Sequence, residues 1–148
     1  MKKPEKIEKW WNAQSYLAGE IAECADQLAK HDHGYPSRLD TRHIKDGQAT
    51  KAQSDRCMKR WHDILIKIRD GFRMYEKEGN SWFFEWKDGK VPPVRALIKV
   101  EPKKGLPQGG WEMSPTPPGY KLIQNKKKQR QFKEAMRLFV EYFDDLWD

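Results

Sequence analysis

The stretch of sequence that decides the fold is residues 126–148, which reads KKKQRQFKEAMRLFVEYFDDLWD. Its apolar residues recur at spacings of three and four, the period of an α-helix with one apolar face. The apolar stripe consists of Phe132, Ala135, Met136, Phe139, Phe143 and Leu146. Asn125 can cap the first turn with its side-chain oxygen. We therefore predict a helix over residues 125–147 that buries this stripe.

The charges of this predicted helix run against its dipole. A helix is stabilised by acidic residues near its start and by basic residues near its end, and each reversed charge costs roughly 0.3–1 kcal/mol at low salt. The start carries Lys126, Lys127, Lys128, Arg130, Lys133 and Arg137, and the end carries Glu141, Asp144, Asp145 and Asp148. Two explanations are open. Either neighbours of opposite charge lie beside the two ends, or the basic start binds an anionic ligand.

Two further amphipathic helices are predicted earlier in the chain, over residues 4–30 and 50–78. Their apolar stripes are Ile7, Trp10, Trp11, Leu17, Ile21, Cys24, Ala25 and Leu28 in the first helix, and Cys57, Trp61, Ile64, Leu65, Ile68, Phe72 and Tyr75 in the second. Thr50 and Gln53 have the spacing of a capping box, and Gly79 is suited to end the second helix. Both cysteines lie on these stripes, so we expect them to be buried, reduced and unreactive.

Residues 80–123 lack the helical period. Residues 81–86 are rich in β-prone aromatic residues, residues 94–100 alternate between apolar and basic, and the Asp88–Gly89 pair between them is a turn signal. We predict a β-hairpin from these two segments, with Pro92 and Pro93 limiting the pairing at the start of the return strand. Half of residues 102–119 are Pro or Gly, which predicts a long loop.

These elements predict a mainly α fold: a three-helix bundle with a β-hairpin and a Pro/Gly-rich loop inserted between helices 2 and 3. A chain of 148 residues is long enough for one domain with a core, so we predict a single domain over residues 1–148. Hydrophobic residues make up only 37% of the chain, but seven Trp add large apolar surfaces, which argues against disorder. No apolar run approaches the roughly 20 residues that span a bilayer, so we expect a soluble, cytoplasmic protein.

Two segments of the chain resemble a class of small uncharacterised bacteriophage proteins. The first segment has the pattern Arg60-Trp61-x-x-Ile64-Leu65-x-x-Ile68-x-x-Gly71-Phe72, and the second has the pattern Leu138-Phe139-x-x-Tyr142-x-x-x-Leu146-Trp147-Asp148. In this class, two amphipathic helices flank a variable insertion, and the last helix ends in Leu-Trp-Asp. The resemblance covers about residues 57–75 and 126–148. It implies a phage origin, a location in the host cytoplasm and a helical core, and it supplies no catalytic residue.

The sequence favours a protein without catalytic or metal chemistry. His31, His33 and His43 lie near acidic residues, but structural zinc sites use closely spaced Cys pairs, and neither Cys has such a neighbour. The sequence also lacks a phosphate-binding loop, a nucleophile elbow and a zinc-protease motif. We therefore predict no enzyme activity, no cofactor and no metal.

Basic and aromatic residues are the remaining functional signal. The net charge is +7, and residues 121–137 alone contribute +6, with seven basic residues and one acidic residue. Aromatic faces stack on bases and cations bind phosphates. The alternative is that most of these rings cover a core. The predicted ligand-binding residues are Arg95, Lys121, Lys126, Lys127, Lys128, Arg130, Trp82, Trp86, Trp111 and Tyr120.

A basic and aromatic surface predicts a binding protein. We expect a non-enzymatic phage accessory protein that binds a host component, namely a defence protein or its anionic nucleotide signal. The alternative is a nucleic-acid-binding protein in phage replication or expression. The acidic end of the last helix interrupts the continuous basic face that long duplex DNA would require, which favours the first hypothesis.

Overall fold

The computed structural model describes residues 12–31, 34–39, 50–93, 97–105 and 107–146. The predicted helical start over residues 4–11, the segment around His33 and His43, the candidate ligand residue Arg95 and the terminal Trp147–Asp148 lie outside them.

The fold is mainly helical, as predicted. The described residues form three long α-helices: α1 (Ala13–His31), α2 (Lys51–Glu78) and α3 (Lys126–Glu141). Helix α1 packs against α2, and α2 packs against α3. None of the described helices is long and apolar enough to cross a bilayer.

The chain forms two compact units. The helical unit contains the described residues up to Phe83 and from Lys126 onward, and the inserted unit contains residues 84–125. The prediction of a single domain over residues 1–148 stays a prediction.

Both ends of α2 follow the predicted local signals. The backbone N–H of Gln53 donates to the Thr50 hydroxyl at 3.2 Å, and the backbone N–H of Thr50 donates to the Gln53 side-chain oxygen at 2.8 Å. Gly79 ends the helix with a φ of 78°, and its N–H donates to the Tyr75 carbonyl at 2.8 Å. The capping box and the glycine stop are therefore confirmed.

The buried stripe of α1 is made of alanines. Ala18, Ala22, Ala25 and Ala29 are buried, whereas Leu17 and Cys24 are exposed. The predicted burial of Leu17 and Cys24 is therefore wrong, because the stripe is rotated by about one residue. Small side chains on α1 let α2 approach closely, and α2 supplies the large core residues Trp61, Leu65, Ile68 and Phe72.

The buried stripe of α3 is also shifted by about one residue, but in the opposite direction along the sequence. Phe132, Ala135, Leu138 and Tyr142 are buried, whereas Met136 and Phe143 are exposed. The predicted burial of Met136 and Phe143 is therefore wrong. Helix α3 also ends at Glu141 instead of residue 147, and a 3-10 turn over Phe143–Asp145 follows it. The rings of Trp61 and Tyr142 contact each other with centroids 5.6 Å apart, so large side chains fill the space between α2 and α3.

Gly71 marks a close approach of α2 and α3. A Cβ atom placed on Gly71 would lie 2.3 Å from the Cβ of Ala135. Real carbon atoms do not approach so closely, so only glycine fits opposite Ala135 at the present separation of the helices.

The inserted unit contains two antiparallel strand pairs. Strand β1 (Phe84–Trp86) pairs with β4 (Leu122–Gln124), and β2 (Leu97–Val100) pairs with β3 (Gly110–Met113). The predicted pairing of residues 81–86 with residues 94–100 is therefore wrong. The β-hairpin of the insertion is formed instead by β2 and β3, and β3 lies within the predicted Pro/Gly-rich loop.

The turn after β1 shows why the predicted hairpin does not form. Residues Lys87–Gly89 form a 3-10 turn with Asp88 in the left-handed region, so the Asp-Gly signal does produce a turn. Pro92 and Pro93 follow it, and neither can donate a ladder hydrogen bond. Strand β1 takes its partner from residues 122–124 instead.

Candidate functional site

The structure divides the predicted ligand-binding residues between the two units. Trp82, Lys126, Lys127, Lys128 and Arg130 belong to the helical unit, and Trp86, Trp111, Tyr120 and Lys121 belong to the inserted unit. Arg95 lies outside the described residues.

Trp82 is held at the surface by the segment that follows α2. The side-chain oxygen of Asn80 accepts the backbone N–H groups of Trp82 at 3.0 Å and of Phe83 at 3.1 Å. Phe83 is buried and its ring contacts that of Phe132 edge-on, with centroids 5.9 Å apart. Phe83 has a φ of 50°, a left-handed conformation that is strained for a bulky residue. This anchored kink leaves Trp82 57% exposed.

Trp82 lies beside the start of α3. The side-chain amide of Gln129 donates to the Trp82 carbonyl at 2.8 Å, and Gln129 itself is buried. We call Trp82 together with Lys126, Lys127, Lys128 and Arg130 the α3-start surface. It combines an exposed indole with the basic first turn of a helix, where backbone N–H groups point outward.

The α3-start surface is partly neutralised by α2. Lys128 Nζ lies 2.6 Å from Glu78 Oε1, and Glu78 is the last residue of α2. A cation beside the end of α2 is favourable for the dipole of that helix. Lys127 and Arg130 are exposed and form no ion pair with any residue that the structure describes. The structural explanation of the reversed charges therefore accounts for Lys128 but not for Lys127 or Arg130.

The acidic end of α3 has a basic neighbour. The Arg38 guanidinium forms an ion pair with Asp145 at 2.5 Å and also donates to the backbone carbonyl of Glu141. Its central carbon lies 4.1 Å from the centroid of the Tyr142 ring. Arg38 therefore satisfies a terminal carbonyl of α3 and balances part of its acidic end.

In the inserted unit, Trp111 lies on an exposed strand face. The residue is 67% exposed, and its strand partner directly opposite is Lys99. Met113, two residues further on the same face, is also exposed. On the other face, Lys103 Nζ lies 2.9 Å from Glu112 Oε1. Trp111 is therefore an exposed aromatic group with a cation across the ladder.

Tyr120 lines an open groove of the inserted unit. The groove has a volume of about 500 Å³ and is lined by Lys90, Val91, Pro118, Gly119 and Tyr120. The backbone carbonyl of Lys121 accepts from the N–H of Lys87 at 2.8 Å, and Trp86 is half-buried opposite Leu122. Tyr120 is therefore accessible to a ligand, whereas Trp86 is part of a packed strand pair.

Sequence reasoning missed a buried charge cluster between α1 and α2. Asp26 is only 4% exposed, and its carboxylate contacts Lys30 at 2.6 Å, Arg69 at 3.1 Å and Arg73 at 3.6 Å. The hydrogen bond from Lys30, with that from Arg69, lowers the pKa of Asp26 despite its burial. The available signal was the position of Asp26 on the alanine stripe, four residues after Ala22. Because cations surround this carboxylate, its role is to join the helices.

The described residues contain no group of three or more His, Cys, Asp or Glu side chains that could hold a metal ion. Comparison with protein families, with curated protein sequences and with solved structures finds no match to this chain.

Proposed function

We propose that this chain is a non-enzymatic accessory binding protein of phage origin, which acts in the host cytoplasm on a host defence protein or on its anionic nucleotide signal. The observation that carries the proposal is the α3-start surface, in which the backbone of the exposed Trp82 is bonded to Gln129 in the basic first turn of α3. The resemblance of residues 57–75 and 126–148 to small phage proteins supplies the proposed origin.

The α3-start surface has the chemistry that a nucleotide requires. A base can stack on the indole of Trp82, and such stacking contributes roughly 1–3 kcal/mol. Phosphate groups can approach Lys127 and Arg130, whose charges are not neutralised by a described carboxylate. Binding of an anion there would also relieve the unfavourable contact between these charges and the α3 dipole.

We also propose that the three helices form a bundle that presents this surface. The contacts of α1 with α2 and of α2 with α3 support this arrangement. Gln129 supports it further, because the bond from this buried residue to the Trp82 carbonyl ties the end of the α2 segment to α3.

One observation favours the alternative of a nucleic-acid-binding protein. Trp111 is exposed with Lys99 directly across the ladder, and this pairing of a ring and a cation suits single-stranded nucleic acid. The two hypotheses therefore predict different essential residues: Trp82 for the nucleotide ligand and Trp111 for the nucleic acid.

Matched tryptophan variants test the proposal. We expect a fluorescent purine nucleotide to bind the wild-type chain, and the Trp82→Ala variant to bind it roughly 5- to 150-fold more weakly, as the loss of one stacking contact implies. The Trp111→Ala variant is the control, because it also removes an exposed indole but should leave nucleotide binding unchanged.

A short single-stranded oligonucleotide distinguishes the alternative. If it binds with a steep loss of affinity on raising the salt concentration, and if Trp111→Ala weakens that binding while Trp82→Ala does not, the nucleic-acid hypothesis is favoured. Nucleotide binding that is the same in wild-type and Trp82→Ala chains would contradict the proposed role of the α3-start surface.

Charge variants separate binding from stability. Lys127→Gln combined with Arg130→Gln should weaken nucleotide binding and leave the melting temperature unchanged or higher, because unfavourable contacts with the helix dipole are removed. Lys128→Gln is the control for the melting temperature, since it removes the ion pair between Lys128 and Glu78. A lower melting temperature with intact nucleotide binding in the double variant would show that Lys127 and Arg130 are structural.

A further inference from the structure

Helix α3 carries an exposed apolar stripe beside its buried one. Met136, Val140 and Phe143 follow at spacings of four and three, so they lie on one side of the helix and of the turn that continues it. Val140 is 68% exposed and Phe143 is 61% exposed. The ring of Phe143 contacts that of Phe139 edge-on, with centroids 5.5 Å apart, so the stripe is continuous with the core. A contiguous exposed apolar surface of this kind is typical of an interaction site.

The exposed stripe has a basic residue at one end and an acidic residue at the other. Lys133 lies three residues before Met136 in α3, and Asp144 directly follows Phe143 in the 3-10 turn, so the two residues lie at opposite ends of the stripe. Both are exposed, and neither forms an ion pair within the part of the chain that the structure describes. Arg137 and Glu141 lie between these two residues and are paired with each other. The charges without a described ion pair therefore run basic, apolar, acidic along the helix axis.

We propose that this stripe is a homodimer interface, in which α3 of one copy packs antiparallel against α3 of a second copy. Reversal of the helix direction places Lys133 of each copy beside Asp144 of the other, and the apolar residues meet between them. A twofold interface of this type is self-complementary, because the same surface patch is used on both copies.

The charge order selects a second copy and the antiparallel direction. A parallel pair would place Lys133 beside Lys133 and Asp144 beside Asp144, which are repulsive contacts. Antiparallel packing also aligns the helix dipoles favourably. The proposal is independent of the proposed function, because the stripe uses none of the residues of the α3-start surface.

Charge-swap variants test the interface. The wild-type chain should form dimers in sedimentation experiments in which the protein concentration is raised to about 100 µM. Such concentrations are needed because an interface of one helix per copy is small and gives weak association. Lys133→Glu and Asp144→Lys should each be monomeric. Either change makes residues 133 and 144 alike in charge, and the twofold axis repeats this repulsive contact, so the dimer would contain two such contacts. An equimolar mixture of the two variants should form heterodimers, since both contacts are then between opposite charges.

Two further chains serve as controls. Val140→Glu should be monomeric, because it places a charge in the centre of the stripe. Val140 is exposed, so the substitution should not disturb folding. Lys127→Glu makes the same charge change as Lys133→Glu on a different side of α3 and should dimerise like the wild-type chain. Native mass spectrometry with one isotope-labelled variant identifies the heterodimer in the mixture.

Each alternative outcome overturns the proposal. A wild-type chain that stays monomeric would show that the stripe is not a dimer interface. The proposal would then be wrong even if a different protein covers the stripe. Dimers of the single charge variants would show that the interface lies elsewhere. Monomeric single variants that fail to associate when mixed would exclude antiparallel pairing.

Discussion

The substitution Gly71→Ala tests the packing of α2 against α3 most directly. The new Cβ would lie 2.3 Å from the Cβ of Ala135 and 3.4 Å from the backbone oxygen of Gln131. Neither neighbouring atom is the end of a flexible side chain, so the clash can be relieved only if the two helices move apart. Such overpacking costs typically about 1–3 kcal/mol.

The expected change in the free energy of unfolding also includes the difference in helix propensity between alanine and glycine. Alanine in a helix interior is about 1 kcal/mol more favourable than glycine, which offsets part of the clash. Gly19→Ala in α1 provides a matched control, because the nearest atoms to its new Cβ would be those of the Glu76 carboxylate, with Oε1 at 2.7 Å. That carboxylate can move away. We therefore expect the Gly71→Ala chain to be about 1–3 kcal/mol less stable than the Gly19→Ala chain.

Urea unfolding followed by circular dichroism measures this difference, provided that the slopes of the transitions are equal. A second variant, Gly71→Ala combined with Ala135→Gly, exchanges the two side chains and should recover most of the lost stability. If Gly71→Ala and Gly19→Ala chains unfold at the same urea concentration, the close approach of α2 and α3 described here is refuted.

Three further predictions concern the core and the buried groups. Trp61→Ala should lower the free energy of unfolding by about 3–5 kcal/mol in urea titrations, because the ring is buried against Tyr142; a loss below about 1 kcal/mol would exclude this core. Because the folded pKa of Asp26 is lowered, its ion pairs add stability above the unfolded pKa of about 4, and that stability is lost as the pH falls below it. The chain with Asp26→Asn should therefore be less stable at neutral pH and should lose less stability on acidification, and parallel pH profiles of the two chains would contradict this. A thiol reagent should label the exposed Cys24 rapidly and the buried Cys57 slowly, and mass spectrometry of partially labelled protein would detect the opposite order.

The ends of α2 could be predicted from sequence because their signals are local. The capping box needs only Thr50 and Gln53, and the helix stop needs only Gly79. The buried sides of α1 and α3 could not be predicted equally well, because they depend on the partner helix. An alanine such as Ala22 has little apolar surface of its own, but it is buried where a neighbouring helix must come close.

Strand pairing and the candidate site depend on contacts between residues distant in sequence. The partner of β1 is β4, almost 40 residues later, whereas the Asp88–Gly89 turn signal pointed to a nearer strand. The exposure of Trp82 follows from the burial of Phe83 and the two bonds accepted by Asn80, which no periodicity reveals. The residue types therefore indicated basic and aromatic groups, but only the structure shows that Trp82 is exposed whereas Trp86 is half-buried.

The pairing of β1 with β4 means that the inserted unit leaves and returns at one place. Phe84 is opposite Gln124 in the ladder, and Cα atoms of opposite residues lie about 4.5–5.5 Å apart. A segment whose ends meet can be lengthened, shortened or exchanged at little entropic cost to the rest of the chain, because the cost of closing a loop grows slowly with its length. This position is therefore a natural grafting point, at which a different binding loop could be acquired by recombination, or introduced by protein engineering, without redesign of the helical core.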